Sequence, residues 1–151
     1  MIYFDYYKSP IGLVKVVANS DSILQVDFEL DYDEVVSPSL ITDMTITQLD
    51  EYFNKKRKIF DIPLYTVGTD FQKLVWNALL KIPYGETRSY KEIAETINHP
   101  LAYRAVGNAN NKNKIAIIIP CHRVIGANGS FVGYASGIDK KRWLLNLEKN
   151  V

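Results

Sequence analysis

Cysteine is nearly absent from this chain: there is one, Cys121, in 151 residues. A single thiol excludes an internal disulfide and a cysteine-rich zinc site. No apolar stretch approaches the length of a membrane span. The N-terminal segment, residues 1–8 (Met-Ile-Tyr-Phe-Asp-Tyr-Tyr-Lys), alternates and lacks the charged-then-apolar order of a signal peptide. Internal repeats and low-complexity segments are missing. These absences lead us to expect a reducing, intracellular, cytoplasmic setting with no membrane contact. What is present suits one domain or two small ones: 47% hydrophobic residues and 23% charged.

The net charge of +1 hides an asymmetry. Residues 1–66 carry six Lys and Arg against eleven Asp and Glu, a net −5. Residues 67–151 carry twelve against six, a net +6. A basic half points to an anionic partner, nucleic acid being the commonest large one, although scattered surface charge gives the same numbers.

The pattern predicts strands at residues 2–7, 12–18 and 23–28, with a turn at Ser9-Pro10-Ile11-Gly12. Residues 31–38 read as a polar loop. Apolar positions at Ile41, Met44, Leu49, Tyr52 and Phe53 predict a helix over 41–54. The basic run 55–58 reads as a solvated helix end, and residues 59–63 as a last short strand. Thr69 caps a helix predicted to run through Ile82. Ser89, with Glu92 three residues on, makes a capping box for a helix over 90–97. A turn at Asn98-His99-Pro100 leads to another helix over 101–110. That pair has helix-turn-helix spacing, and its second helix would present Tyr103, Arg104, Gly107 and Asn108. A final amphipathic helix is expected over 139–148.

The most informative stretch is Pro120-Cys121-His122-Arg123-Val124. Residues 115–119 (Ile-Ala-Ile-Ile-Ile) run into it and read as a buried strand stopped by proline, with the turn exposing the thiol. A neighbouring imidazole or guanidinium favours the thiolate, the form that attacks. A lone cysteine is also commonly a small buried hydrophobe. On these residues alone, a DNA-binding module with no need of Cys121 and a cysteine hydrolase both stay open.

These residues resemble the O6-alkylguanine-DNA alkyltransferases. Besides Pro120–Val124, the matching motifs are Tyr84-Gly85-Glu86, Ser89-Tyr90, residues 104–107 (Arg-Ala-Val-Gly), Asn113, Gly133-Tyr134, and residues 142–145 (Arg-Trp-Leu-Leu) with Glu148. The detailed match covers about residues 69–148. The resemblance implies an α/β N-terminal domain over 1–66, a small antiparallel sheet plus helix of ribonuclease H-like type. A mainly helical C-terminal domain with the helix-turn-helix follows over 67–151. It implies a single-turnover DNA-repair protein that takes the alkyl group from O6-alkylguanine, with O4-alkylthymine as a further candidate. Cys121 would accept the alkyl group. His122 would receive the thiol proton through a water, Glu148 would orient His122, Tyr90 would support the leaving guanine, and Asn113 would hold the hinge. Tyr103, Arg104, Ala105, Gly107, Asn108 and Arg123 would contact DNA, with Arg104 filling the gap left by a flipped base. Tyr90, Val124, Tyr134, Ala135 and Ser136 would line the pocket. The carbonyls of Cys121 and Val124 would accept from the guanine amine. The partner implied is double-stranded DNA, entered from the minor groove with base flipping, by a monomer without cofactor or metal, nucleoid-associated in a prokaryote. Three positions depart from the common pattern. Lys114 stands where proline is frequent, Ala135 where serine is, and Ser136 where glycine is.

Overall fold

The computed structural model describes residues 1–32, 35–130 and 134–149. Two residues of the expected 31–38 loop and Gly133 of the Gly133-Tyr134 motif lie outside them. The chain divides into two compact units, one up to Thr66 and one from Val67.

The first unit opens with an antiparallel meander, β1 (Tyr3–Ser9), β2 (Gly12–Ala18) and β3 (Ile23–Glu29). Ser9 pairs with Gly12 at the hairpin end, where Ser9 Oγ donates to the Gly12 carbonyl at 2.7 Å. Gly12 has φ +134°, a conformation that side chains disfavour. Val14, Val16 and Ala18 are fully buried with Ile23 and Val26. The helix α1 (Leu40–Phe53) contributes Leu49, Tyr52 and Phe53 to the buried set. Each such aliphatic side chain contributes roughly 1.5–3 kcal/mol by leaving water. Ser39 and Thr42 cap α1 reciprocally.

Residues 59–63 do not form the expected strand. Contact with β3 is limited to one bridge, Ile23 to Leu64. Pro63 has no N–H to extend a ladder. The backbone of Asp61 is instead satisfied by a side chain. Gln48 Nε2 donates to the Asp61 carbonyl at 3.1 Å, and Asp61 N–H donates to Gln48 Oε1 at 2.9 Å.

The second unit is mainly helical. The helix α2 (Asp70–Leu80) is capped by Thr69 and Gln72, and α3 (Tyr90–Thr96) by Ser89 and Glu92. The helix α4 (Tyr103–Asn111) packs on both, and Trp76 Nε1 donates to the Ala109 carbonyl at 2.9 Å. It starts two residues later than expected. His99 and Ala102 close turns onto the Ala94 and His99 carbonyls, which leaves Leu101 outside the helix. Two-residue strands β4 (Arg88–Ser89) and β5 (Val124–Ile125) pair in parallel. The helix α5 (Ile138–Lys149) completes the unit, with Leu144, Leu145 and Leu147 buried.

The run 115–119 is buried as expected, but it is no strand. It winds through tight turns: Ile118 N–H donates to the Ala116 carbonyl at 2.8 Å and Ile119 N–H to the Ile115 carbonyl at 3.0 Å. Ile117 has φ +71°, which makes the first of these the rare, strained form of γ-turn. Apolar periodicity cannot separate a buried strand from a buried coil of this length. The deciding group is polar. Asn113 Nδ2 donates to the carbonyls of Ile115 (3.3 Å) and Ile119 (2.9 Å), and Asn113 Oδ1 accepts from Ile115 N–H at 3.0 Å. One carboxamide therefore does what a neighbouring strand would otherwise do.

Candidate active site

Residues Cys121–Arg123 form a single 3-10 turn between Pro120 and β5. Cys121 N–H donates to the Ile119 carbonyl at 2.7 Å and Arg123 N–H to the Pro120 carbonyl at 2.9 Å. Val124 N–H closes the turn on the Cys121 carbonyl. The pairing of Val124 with Arg88 places the start of α3, Tyr90, two residues beyond this junction. Cys121 is in no disulfide, and only 6% of it is exposed. The turn folds inward and shelters the sulfur, whereas the sequence led us to expect it on display.

His122 is fully buried, and its Nε2 lies 2.7 Å from Glu148 Oε2. Arg123 grips the same carboxylate as a fork, with Nε 2.8 Å from Oε1 and Nη2 3.0 Å from Oε2. Its Nη1 donates to the Ile82 carbonyl at 2.8 Å, just beyond α2. Gly85 N–H also donates to Glu148 Oε1, at 3.3 Å. Burial pushes the Glu148 carboxyl up, but the hydrogen bonds from His122 and Arg123, with the Arg123 charge, outweigh it and hold the group at about 2. An ionised carboxylate only accepts, so His122 Nε2 carries the proton and Nδ1 the lone pair. Burial pushes the imidazole below its ordinary value against the pull of Glu148, and Arg123 and Lys141 lower it further. The ring is thus neutral, with Nδ1 buried and without a hydrogen-bond partner.

A fully buried lysine shares the site. Lys141 Nζ donates to the Val124 carbonyl and lies 5.9 Å from the centre of the Tyr90 ring. Burial lowers the ammonium to about 8, and the charge of Cys121 opposes that shift. Tyr90 is raised by burial and then by Cys121. Lys141 and Tyr90 thus both lie within electrostatic reach of Cys121.

The structure sorts the remaining sequence-derived residues into groups. Tyr103, Arg104, Ala105 and Asn108 lie on the exposed side of α4. Gly107 faces α3, where an added Cβ would meet the Tyr90 ring at 3.7 Å. Val124 and Tyr134 are buried, Ser136 is half-buried and Ala135 is exposed. Arg123 does not fit the expected DNA contact. It is 6% exposed, and Glu148 and the Ile82 carbonyl occupy all three of its nitrogens. Among the described residues no cluster of His, Cys, Asp and Glu could hold a metal ion, and no helix is long and apolar enough to cross a membrane.

Two residues at the site were missed in the sequence. Lys141 stands seven residues before Glu148, on the buried stripe shared with Leu144 and Leu145. A lysine on the apolar stripe of a helix was the available signal. Asn110 is 1% exposed on α4, and its Nδ2 donates to the Cys121 carbonyl at 3.3 Å. It stands in the asparagine-rich run 108–113, where nothing in the sequence singles it out.

Two family models match the chain. One, described as "6-O-methylguanine DNA methyltransferase, DNA binding domain", matches residues 70–150. The other, described as "6-O-methylguanine DNA methyltransferase, ribonuclease-like domain", matches residues 2–66. The chain is 50% identical over 156 residues to the methylated-DNA–protein-cysteine methyltransferase of Methanosarcina barkeri, covering 99% of this chain and 98% of that one. Among solved structures it is similar to the O6-methylguanine methyltransferase of Mycobacterium tuberculosis, with TM-score 0.90, 45% identity, and coverage of 99% and 93%. It is also similar to the Mycobacterium tuberculosis OGT in complex with DNA, with TM-score 0.89, 45% identity, and coverage of 97% and 92%.

Proposed function

Since the chain belongs to the 6-O-methylguanine DNA methyltransferase family, we propose that it repairs DNA by moving the alkyl group of O6-alkylguanine onto Cys121, once per molecule. The observation that carries this reading is the neutral His122. Its Nε2 is fixed on Glu148, and its Nδ1 is a buried, unsatisfied acceptor on the residue next to the only cysteine in the sequence. That is the tautomer a proton acceptor for the thiol needs. The thiol proton passes to His122 through a water. Sγ then bonds the alkyl carbon as the carbon–O6 bond breaks. The guanine takes a proton from the Tyr90 phenol as it leaves, and the protonated His122 restores the phenol through water, so the thiol proton ends on the guanine. The product is a thioether and guanine. A thioether has no good leaving group, so no second turnover follows.

An alkyl carbon inside a base stack is out of reach, so the nucleotide must flip into the protein. The reading assigns DNA contact to the exposed residues of α4, Tyr103, Arg104, Ala105 and Asn108. It gives them the minor groove, with Arg104 in the vacated stack. Residues 1–66 act as the N-terminal domain and residues 67–151 as the DNA-binding and alkyl-acceptor domain of a monomer working on intracellular, nucleoid DNA. Tyr134, Ala135 and Ser136 border the pocket, and O4-alkylthymine is a second candidate substrate. Mass spectrometry after incubation with duplex O6-methylguanine tests the whole reading. One stable methyl group on Cys121 is expected. An unmodified protein would leave a DNA-binding module, and released product without adduct would make it a hydrolase.

Two expected results follow from the geometry. Arg104→Ala should slow transfer from duplex DNA at least about tenfold while sparing a free O6-alkylguanine base, and duplex affinity should fall steeply with added salt. Equal losses on both substrates would remove Arg104 from the flipping step. Lys141→Met removes the buried cation that couples to Cys121. The pH profile of Cys121 alkylation by iodoacetamide should then move upward, because the thiolate loses its fixed positive neighbour. An unmoved profile would show that Lys141 serves only to bind the Val124 carbonyl.

A further inference from the structure

The carbonyl oxygen of Cys121 has two lone pairs, and both are engaged. Val124 N–H takes one, and Asn110 Nδ2 takes the other at 3.3 Å. The Val124 carbonyl, the neighbouring acceptor, already receives Lys141 Nζ. The two carbonyls expected to receive the guanine amine are therefore both in use, that of Cys121 fully. Asn110 supplies a replacement. Its nitrogen must face the Cys121 carbonyl, because two oxygens there would repel, and this fixes Oδ1 as the other end. That Oδ1 is buried and has no hydrogen-bond partner. The carboxamide covers one acceptor and carries another. A buried acceptor left open beside a nucleophile is costly in the free protein and gains most from a donor that arrives with the substrate.

The substrate has only one such donor to offer. Alkylation at O6 leaves N1 of the guanine without a proton, so N1, N3 and N7 all accept. The 2-amino group is the one N–H donor on the base. We propose that Asn110 is a specificity-determining residue whose Oδ1 accepts a hydrogen bond from the 2-amino group of the extruded O6-alkylguanine. This rests on the reading of Cys121 as the alkyl acceptor. Asn110 also sits on the helix whose opposite side carries Tyr103, Arg104 and Asn108. One rigid element thus carries both the residues assigned to the duplex and the group that reads the flipped base.

The experiment compares single-turnover methyl transfer from two duplexes, one with O6-methylguanine and one with O6-methylhypoxanthine, the same base without its 2-amino group. Wild type should prefer the guanine by about tenfold or more. Asn110→Leu, close in volume and without polar atoms, should bring the ratio near one. Asn110→Asp keeps an acceptor and loses the donor, so it should react more slowly with both bases yet keep the preference. A wild-type ratio near one overturns the proposal, and that arm needs no variant to fold. A leucine variant that is slower on both bases with an unchanged ratio also overturns it, because a purely structural role predicts that. Absence of methyl on Cys121 from either duplex would instead overturn the underlying alkyl-transfer reading.

Discussion

Glu148→Ala should cost the protein about 3–5 kcal/mol of stability, because it strips the partner from a buried guanidinium and a buried imidazole at once. The side chain of Glu148 is 1% exposed and that of His122 is fully buried. The carboxylate also receives Gly85 N–H, so its loss frees donors from two separate segments. Acid should expose the same dependence in wild type. A carboxyl held at about 2 in the fold, against 4.5 when free, gives stability that is full above 4.5. That stability is lost as the pH falls from there toward 2. His122 acts in the same direction from higher pH. Its folded value is depressed below 6.5, so the unfolded chain takes up a proton first as acid is added. Stability should therefore decline from about pH 6.5 downward, with a second fall below about 4.5 that Glu148→Ala lacks. Urea unfolding across this range measures both. A loss under about 1 kcal/mol in the variant would mean the cluster behaves like a surface pair, and the fork geometry would count for little.

Cys121→Ala should end methyl transfer altogether while leaving duplex binding intact. The thiol is the only one in the chain, so no second sulfur can substitute. Removing one buried atom group of this size costs about 1 kcal/mol, too little to unfold the unit. The residues assigned to DNA lie on exposed α4 and do not touch the sulfur in this reading. Titration of wild type with excess substrate should saturate at one methyl per chain. Transfer by the alanine variant, or more than one methyl removed per wild-type chain, would end the reading of Cys121 as a consumed nucleophile. Loss of DNA affinity in the variant would mean that the thiol pocket and the DNA surface are not separable.

The helix starts were legible because their causes are local. Thr69 and Ser89 each meet a residue three positions on, and the capping geometry follows from that spacing alone. The meander was legible for the same reason, from alternation and a glycine at the hairpin. The run 115–119 was misread because what bends it is Asn113, whose bonds to Ile115 and Ile119 have no periodic signature. Residues 59–63 failed similarly, both backbone groups of Asp61 being claimed by Gln48, thirteen positions away. At the site, the pairing of His122 with Glu148 came only through family likeness, since they are 26 residues apart. Arg123, given a DNA contact through family likeness, is instead gripped by Glu148. Its partner is on the last helix, and nothing near Arg123 in sequence announces it.

The Glu148 carboxylate sits near the end of the chain, yet it secures the 3-10 turn, the Gly85 loop and, through Arg123, the exit of α2. The order of assembly therefore matters to reactivity. Before α5 docks, His122 has no carboxylate to fix its tautomer, and Lys141, on the same helix, is not yet beside the thiol. An incompletely folded chain carries an ordinary cysteine, slow toward the alkylating agents that surround damaged DNA. The sulfur gains its reactivity in the same step that closes the protein around it, so a reagent that can be used only once is not spent before there is a folded pocket to aim it.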